Sequence, residues 1–440
     1  MKAVTAMRRP RTSGPDSGGA GLRWLRRLGF VIAAVIGLPG CINAYYRAPY
    51  VAFDEHAYAS LFPYFAEYCA LSEFNKKKGF GVVLEGGGPG GHSVFYLNGV
   101  CRQRDADYPV LTLCDETPQG MAGRGVGLSV NDHYRNANWT ATEGRNFFFD
   151  GDLAPGGGVM RADYARIQQK AKAMGMLDGV EYHQKALAGR PAGMSVRDYM
   201  YEVAIGSDYA VGIARDRFCA RVPLDRDKMA IIVRYLNGLN EPYRTGRKVF
   251  HWNVLRDNCT YLAHNALAVV GLWPILPINR ALLVAAFDFP TPKNEFVNVM
   301  WRANDMPIAD PDALYDDRSA REAILQLGWI ATAPGALAEA RPEQQPNEVY
   351  HGHLRLIFYD EPVFGHFQER FDKIFAQPRY TDLAANLSLF SQLYAAILAK
   401  PKVPQQNAAR AAFYRRYYDV ITREKLKVDT ELAKLSGTAG

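Results

Sequence analysis

The chain has 440 residues, of which 48% are hydrophobic and 12% aromatic, so it can bury a substantial core in two or three domains and is not disordered as a whole. The formal net charge is +7, but residues 1–40 hold seven basic side chains and one acidic side chain, which accounts for +6. The remaining chain carries only about +1 and has no stripe of basic and aromatic residues, which argues against nucleic-acid binding.

The first 41 residues have the layout of an export signal. A basic stretch precedes 11 apolar or small residues, Leu28–Leu38, which are too few to span a bilayer. The run ends in "LPGC" at 38–41, which resembles a bacterial lipoprotein signal. This resemblance implies that Cys41 carries a lipid and anchors the protein in the bacterial cell envelope, facing the periplasm. An ordinary cleaved signal and an uncleaved anchor remain alternatives.

Beyond the signal, the apolar pattern predicts both helices and strands. Residues 42–75 are expected to form a helical lead-in, interrupted by Pro63. The predicted strands cover 80–85, 92–98, 108–114, 125–130 and 145–150, with a pair of strands at 210–224. The predicted helices cover 162–176, 195–205, 225–240 and 259–271, and the chain beyond 290 is expected to be mainly helical. The pattern therefore predicts an α+β fold.

Six cysteines are present, and Cys41 and Cys259 stand apart from the other four. Two disulfides among those four allow three connectivities, and the spacing selects none of them. Buried free thiols are an equally good interpretation. The four cysteines are Cys69, Cys101, Cys114 and Cys219.

The stretch "RDNCTYLAHNALAVVGL" at 256–272 places Cys259 directly after a favoured helix-capping residue, Asn258. Cys259 is then expected at the first helical position, where free backbone amides and the positive end of the helix dipole favour a reactive thiolate. Packing on a sheet is the alternative role, because Leu262 and Ala266 lie on the same side of the helix.

A thiolate nucleophile needs a base, usually a histidine. Among nine histidines, His92 is the best placed, because it begins an apolar strand directly after a glycine-rich stretch that admits a substrate backbone. His264 lies on the same helix as Cys259, about 140° around it, and His251 precedes a segment of unclear structure. The sequence therefore indicates a Cys259–His92 pair.

The motifs "GGHSVFYLNG" and "RDNCTYLAHNAL" together resemble the permuted papain-like thiol hydrolases. This superfamily includes NlpC-type cell-wall peptidases in the unpermuted order and lecithin:retinol acyltransferase-like enzymes in the permuted order. The resemblance implies a papain-like core of antiparallel strands against a catalytic helix, with Cys259 as nucleophile and His92 as general base. It also implies a third polar residue on the strand after the histidine, for which Asp115 is the nearest candidate.

The resemblance divides the chain into four parts. These are the signal 1–41, the lead-in 42–75, a papain-like domain at 76–290 and a helical C-terminal region at 291–440. Because 167 positions separate His92 from Cys259, an insertion is expected at about 119–205. The stretch from Lys400 carries nine basic and four acidic residues, and its alternatives are a solvated helix face or contact with anionic lipid.

The function that we expect from these motifs is a cell-envelope thiol hydrolase or acyltransferase that acts on an amide or ester bond. A peptidoglycan peptide is the first substrate to test and a lipid ester the second. The alternative is a non-catalytic envelope lipoprotein that uses the same fold as a binding or structural module. We predict no cofactor and no metal site, because phosphate-loop, Gly-x-Ser-x-Gly, CxxC and HExxH motifs are absent from the sequence. Nothing in the sequence indicates the oligomeric state.

Overall fold

A computed structural model provides the coordinates of the protein. It describes residues 49–77, 85–86, 91–103, 105–115, 120–154, 156–213, 215–255, 257–277, 279, 281, 291–350, 367–401 and 407–437. The predicted signal segment 1–41, with Cys41, lies outside the described residues, and so does most of the predicted strand at 80–85.

The described residues form an α+β structure, as predicted. The strands are β1 (Tyr64–Leu71), β2 (Phe74–Asn75), β3 (Glu85–Gly86), β4 (His92–Asn98), β5 (Val100–Arg102), β6 (Leu111–Leu113), β7 (Gly125–Ser129), β8 (Thr140–Glu143), β9 (Arg217–Leu224) and β10 (Leu337–Arg341). The helices up to the middle of the chain are α1 (Glu55–Leu61), α2 (Arg145–Asp150), α3 (Arg161–Ala173), α4 (Gln184–Leu187), α5 (Val196–Ala204), α6 (Arg226–Arg244) and α7 (Cys259–Ala268). The later helices are α8 (Pro292–Asn304), α9 (Pro311–Asp316), α10 (Arg318–Glu322), α11 (Phe367–Ala376), α12 (Leu383–Ala399) and α13 (Ala408–Gly437).

The main sheet has six strands in the order β10–β9–β1–β4–β7–β8, and neighbouring strands are antiparallel throughout. The central strand β1 pairs with β4 on one side and with β9 on the other. In this register Leu71 lies between His92 and Arg217, so the start of β4 and the start of β9 meet at the same end of the sheet.

One face of the sheet is apolar and carries α7 and α8. We call this side the helix face, because α7 packs on β4 while α8 packs on β1 and β9. Side chains alternate along a strand, and those directed to this face are mostly aromatic and aliphatic. They include Tyr68, Ala70, Phe95, Leu97, Phe218 and Ala220.

The opposite face contains a buried ion cluster and a disulfide, and we call it the ion face. The Cys69–Cys219 disulfide joins β1 to β9. Next to it, Glu67 accepts hydrogen bonds from Arg145 at 2.9 and 2.8 Å. The apolar part of this face joins one buried cluster with α12 and α13, including Leu71, Val94, Tyr96, Leu387, Phe390 and Phe413.

The second disulfide, Cys101–Cys114, closes the hairpin formed by β5 and β6. The structure thus selects one of the three connectivities that the sequence left open. Among the described cysteines only Cys259 is free.

Several predicted elements are confirmed, including the strand at 92–98, the helix at 225–240 with its Asp225 cap, and the helix that begins at Cys259. The helical lead-in is wrong. Helix α1 ends at Leu61, before Pro63, and the following eight residues form the central strand β1. All eight are buried, and a strand buried on both faces lacks the alternation that identifies a strand in sequence.

The main sheet crosses the predicted domain boundaries. The expected insertion at 119–205 contributes β7 and β8 to the main sheet, and the expected helical region after 290 contributes the edge strand β10. A domain limited to 76–290 would lack both β1 and β10. In addition, residues 145–150 form helix α2 instead of a strand, and the pair of strands expected at 210–224 is the single strand β9.

Candidate functional site

The N-terminus of α7 is capped as the sequence predicts. The Asn258 side-chain oxygen accepts hydrogen bonds from the backbone N–H groups of Thr260 at 2.9 Å and Tyr261 at 3.2 Å. Its amide nitrogen donates to the carbonyl of Val254 at 2.6 Å. Cys259 is therefore held at the first helical position, beside the end of the helix dipole that favours negative charge.

Cys259 differs from the other described cysteines in both bonding and exposure. It is half-buried and unbonded, whereas the other four form disulfides and two of them, Cys69 and Cys219, are fully buried. Disulfides are characteristic of oxidising compartments. Cys259 also packs against the apolar core, so the reactive and the packing interpretations both have a structural basis.

Helix α7 meets the sheet next to the start of β4. The hydroxyl oxygens of Ser93 and Thr260 lie 3.2 Å apart, which joins the first turn of α7 to the second residue of β4. The neighbouring Tyr68 hydroxyl donates to the carbonyl of Pro292 at 2.8 Å. Because Cys259 precedes Thr260 and His92 precedes Ser93, this contact brings the two predicted catalytic residues into one region.

His92 is held by a backbone carbonyl. Its Nε2 atom lies 3.3 Å from the carbonyl oxygen of Ser207, and a carbonyl only accepts, so Nε2 carries the proton and Nδ1 is free to accept one. Burial and the nearby Arg215 guanidinium lower the pKa of His92 to about 3. The imidazole is therefore neutral at physiological pH.

The structure does not bond His92 to Cys259. Ser93 is directed to α7, and since side chains alternate along a strand, His92 is directed to the other side. A hydrogen bond between the imidazole and the thiol is not formed within the described site. The backbones of the two residues are therefore joined through Ser93 and Thr260, while the two side chains are directed to different sides of the sheet.

Arg215 is a third member of the site that the sequence analysis missed. It is only 2% exposed, and burial lowers its pKa to about 9, against smaller opposing effects of Tyr350, Cys259 and Glu73. The same guanidinium acts on His92. Arg215 therefore remains a cation at neutral pH, close enough to both residues to stabilise a thiolate or an oxyanion. A lone arginine before a strand gives no sequence signal of this role.

The structure separates Asp115 from His92. Asp115 is exposed and follows Cys114, whose backbone N–H donates to the carbonyl of Gly99 at 3.0 Å. Gly99 lies just beyond the end of β4 opposite to His92, and seven strand residues span roughly 20 Å. The prediction that Asp115 orients His92 is therefore wrong, and the carbonyl of Ser207 makes the contact instead.

A buried polar network fixes the loop that carries this carbonyl. The Ser129 hydroxyl donates to the carboxylate of Asp208 at 2.7 Å, and the Thr142 hydroxyl donates to the Asp208 carbonyl at 3.0 Å. Burial raises the pKa of Asp208 to about 6 despite these hydrogen bonds. Strands β7 and β8 thus position Ser207, and through it the imidazole of His92.

A cavity of about 760 Å³ opens at the same end of the sheet. Arg215 and Gly212 line one side of it, and Arg145 and Glu55 place it on the ion face; Cys259 and His92 do not line it. Arg217, another lining residue, pairs with Asp150 at 2.9 and 3.2 Å. The walls carry charges of both signs, which suits a polar substrate.

One group in the described part of the chain has donor atoms close enough for a metal, namely Glu67, Cys69 and Cys219. Its chemistry does not fit a metal site. The two sulfurs are joined in a disulfide, and the carboxylate is bound by Arg145.

Comparison of the chain with protein-family models, curated proteins and solved structures finds no match. Among the described residues, no helix is both long enough and apolar enough to cross a membrane.

Proposed function

We propose that the protein is a cell-envelope thiol hydrolase or acyltransferase built on a permuted papain-like core. The observation that carries the proposal is the free, half-buried Cys259 at a capped helix N-terminus, in a protein whose other described cysteines are all paired. The neutral imidazole of His92 and the cation of Arg215 next to it add a base and a positive charge.

In the proposed mechanism substrate binding rearranges the start of β4, which releases His92 from the Ser207 carbonyl and brings its Nδ1 atom to the thiol of Cys259. His92 accepts the thiol proton as the sulfur attacks the carbonyl carbon of an amide or ester. The backbone N–H of Cys259 and the guanidinium of Arg215 stabilise the oxyanion. The intermediate then collapses, His92 protonates the leaving amine or alcohol, and water or another acceptor removes the acyl group from the sulfur.

The same observations support the proposed location. Two disulfides are in keeping with an exported protein, and the proposed lipid on Cys41 would hold it at the membrane of the bacterial envelope. The basic residues of α13 offer an additional contact with anionic lipid. A peptidoglycan peptide is then the nearest substrate with an amide bond, and a lipid ester is the second candidate.

The first test measures the reactivity of Cys259 and needs no substrate. Iodoacetamide labelling of the full chain is followed at the Cys259 peptide by mass spectrometry between pH 5 and 9. We expect labelling that persists below pH 7, where an ordinary thiol with a pKa of about 8.5 is mostly protonated. His92→Ala should slow it markedly, whereas His56→Ala, at an exposed histidine on α1, should not.

The second test concerns the reaction itself. Purified peptidoglycan fragments and phospholipid vesicles are incubated with the wild type and with Cys259→Ser, and the products are identified by mass spectrometry. A product that depends on Cys259 identifies the bond that is cleaved. Slow labelling with the same rate in the wild type and in His92→Ala, together with no product from either substrate, would instead establish the non-catalytic envelope module.

A further inference from the structure

The segment 244–254, "RTGRKVFHWNV", forms an unusual exposed surface beside the candidate site. Val249, Trp252 and Val254 are 45%, 38% and 47% exposed. Arg247 and Lys248 are exposed in the same segment. We call these five residues the loop surface.

The loop surface rests on a rigid base. Phe250 is fully buried within the segment, its backbone N–H donates to the carbonyl of Arg135 at 2.8 Å, and its ring packs edge-on against Tyr243 with centroids 5.6 Å apart. The imidazole Nε2 of His183 bonds to the Phe250 carbonyl at 2.8 Å. The apolar side chains on either side of Phe250 are thus presented to solvent from a fixed backbone.

The same segment is fastened to the N-terminus of α7. Asn253 and Asp257 exchange two backbone hydrogen bonds of 2.8 and 2.9 Å, which closes a tight loop. The Val254 carbonyl accepts from the Asn258 side chain, which caps the helix. The loop surface therefore lies next to the capped N-terminus of α7, where Cys259 stands.

The charge of the segment is positive and only partly compensated. Residues 241–254 hold three basic side chains and one acidic side chain. The single acid, Glu241, pairs with Arg244 at 2.7 Å. Within the part of the chain that the structure describes, no carboxylate forms an ion pair with Arg247 or Lys248.

We propose that the loop surface binds an anionic phospholipid bilayer. Tryptophan is favoured at the membrane interface, aliphatic neighbours can enter the acyl boundary, and uncompensated cations bind anionic head groups. The proposal does not depend on catalysis by Cys259, and it would place the N-terminus of α7 near the membrane.

Trp252 provides a direct readout of insertion. The full chain is mixed with phosphatidylcholine vesicles containing phosphatidylglycerol, in which part of the phosphatidylcholine carries brominated acyl chains that quench nearby tryptophan. In a Trp24→Phe background, which removes the tryptophan of the predicted signal segment, we expect Trp252→Phe to remove most of the quenching. Trp329→Phe, at a half-buried tryptophan bonded to the Val270 carbonyl, should leave the quenching unchanged. Unchanged quenching in Trp252→Phe would overturn the proposal.

The charges are tested separately by vesicle sedimentation at low salt. Each basic residue near an anionic surface contributes about 1 kcal/mol, so Arg247→Gln with Lys248→Gln should weaken binding about thirtyfold. The matched pair Arg415→Gln with Lys427→Gln removes two exposed charges from α13. If only that pair weakens binding, α13 is the lipid contact and the proposal fails. Cys259→Ser should bind normally, which separates this result from the test of catalysis.

Discussion

Two buried clusters of charged groups on the same sheet differ in how their charges are compensated. On the ion face, Glu67 and Glu339 are bound by Arg145 and Arg221. Burial alone would raise the pKa of Glu67, but the two guanidinium groups outweigh it and lower the value to about 2. Burial likewise opposes the charge of Arg145, yet its carboxylate partners raise its pKa well above the ordinary value.

At the candidate site the effect of burial on the pKa values outweighs the effect of the nearby charges. It lowers the pKa of Arg215 to about 9 and that of His92 to about 3. A buried charged cluster is structural where opposite charges outweigh the effect of burial on the pKa values. Where burial outweighs the nearby charges, the pKa values lie far from the ordinary ones. Perturbed groups of this kind concentrate at functional sites.

The disulfides should produce the largest effect on stability. The Cys69–Cys219 bond on the ion face closes a separation of 150 residues, whereas Cys101–Cys114 closes 13. From loop-closure entropy, replacing Cys69 and Cys219 with alanine should cost about 5 kcal/mol of unfolding free energy, and replacing Cys101 and Cys114 about 3 kcal/mol. Urea unfolding of the full chain measures both. Equal losses would show that loop length does not govern their contribution.

The second largest loss of stability is expected from disruption of the ion cluster around Glu67. Glu67→Gln leaves Arg145 and Arg221 with too little negative charge, and breaking a buried pair in this way costs about 4 kcal/mol. The control is Glu322→Gln, at an exposed pair with Arg318, for which we expect no measurable loss.

Stability and the alkylation rate of Cys259 can both be measured on one variant, which tests whether the two clusters are independent. Glu67→Gln should lower the urea midpoint but leave the alkylation rate of folded Cys259 unchanged, because Glu67 lies opposite Tyr96, four residues along β4 from His92. A large change in that rate would mean that the two clusters are coupled through the sheet.

Patterns among neighbouring residues were sufficient to predict part of this structure. The apolar run of β4 and the Asn258 cap of α7 depend on neighbouring residues, and both are found where the sequence predicts them. Free Cys259 next to the start of β4 also follows from these two motifs. The α+β class could be predicted from the mixture of helix and strand patterns alone.

Long-range contacts account for what the sequence analysis missed. Strand β1 is buried on both faces by elements distant in sequence, so its apolar residues fit a helix equally well. Strand β10 joins the sheet from a region more than 100 residues beyond β9. The proximity of Arg215 to His92, and the exclusion of Asp115, depend on how the strands are ordered, which no local motif encodes.

The protonation of His92 should make stability depend on pH. The folded pKa of about 3 is below the ordinary value of 6.5. Between these values the unfolded chain binds the extra proton, so stability falls as the pH falls. From pH 8 to pH 5 we expect a loss of about 2 kcal/mol that is absent in His92→Gln. Since other groups also titrate in this range, the measured quantity is the difference between the two urea titrations, with His56→Gln as the control. Identical pH profiles for the wild type and His92→Gln would mean that His92 is not buried as a neutral ring.

The smallest effect on stability is expected from loss of a helix cap. The caps of α6 and α7 should differ in their effect on the alkylation of Cys259. Asn258 caps α7, and Asp225 caps α6 by accepting from the backbone of Lys228 at 2.8 Å. Replacing either with alanine should cost about 1 kcal/mol, the usual contribution of an N-cap. Only Asn258→Ala should also slow the alkylation of Cys259 several-fold, because it frees the first turn that orients the thiol. If both variants leave the rate unchanged, the capped helix end contributes packing but no reactivity, and the electrostatic role at the site falls to Arg215 alone.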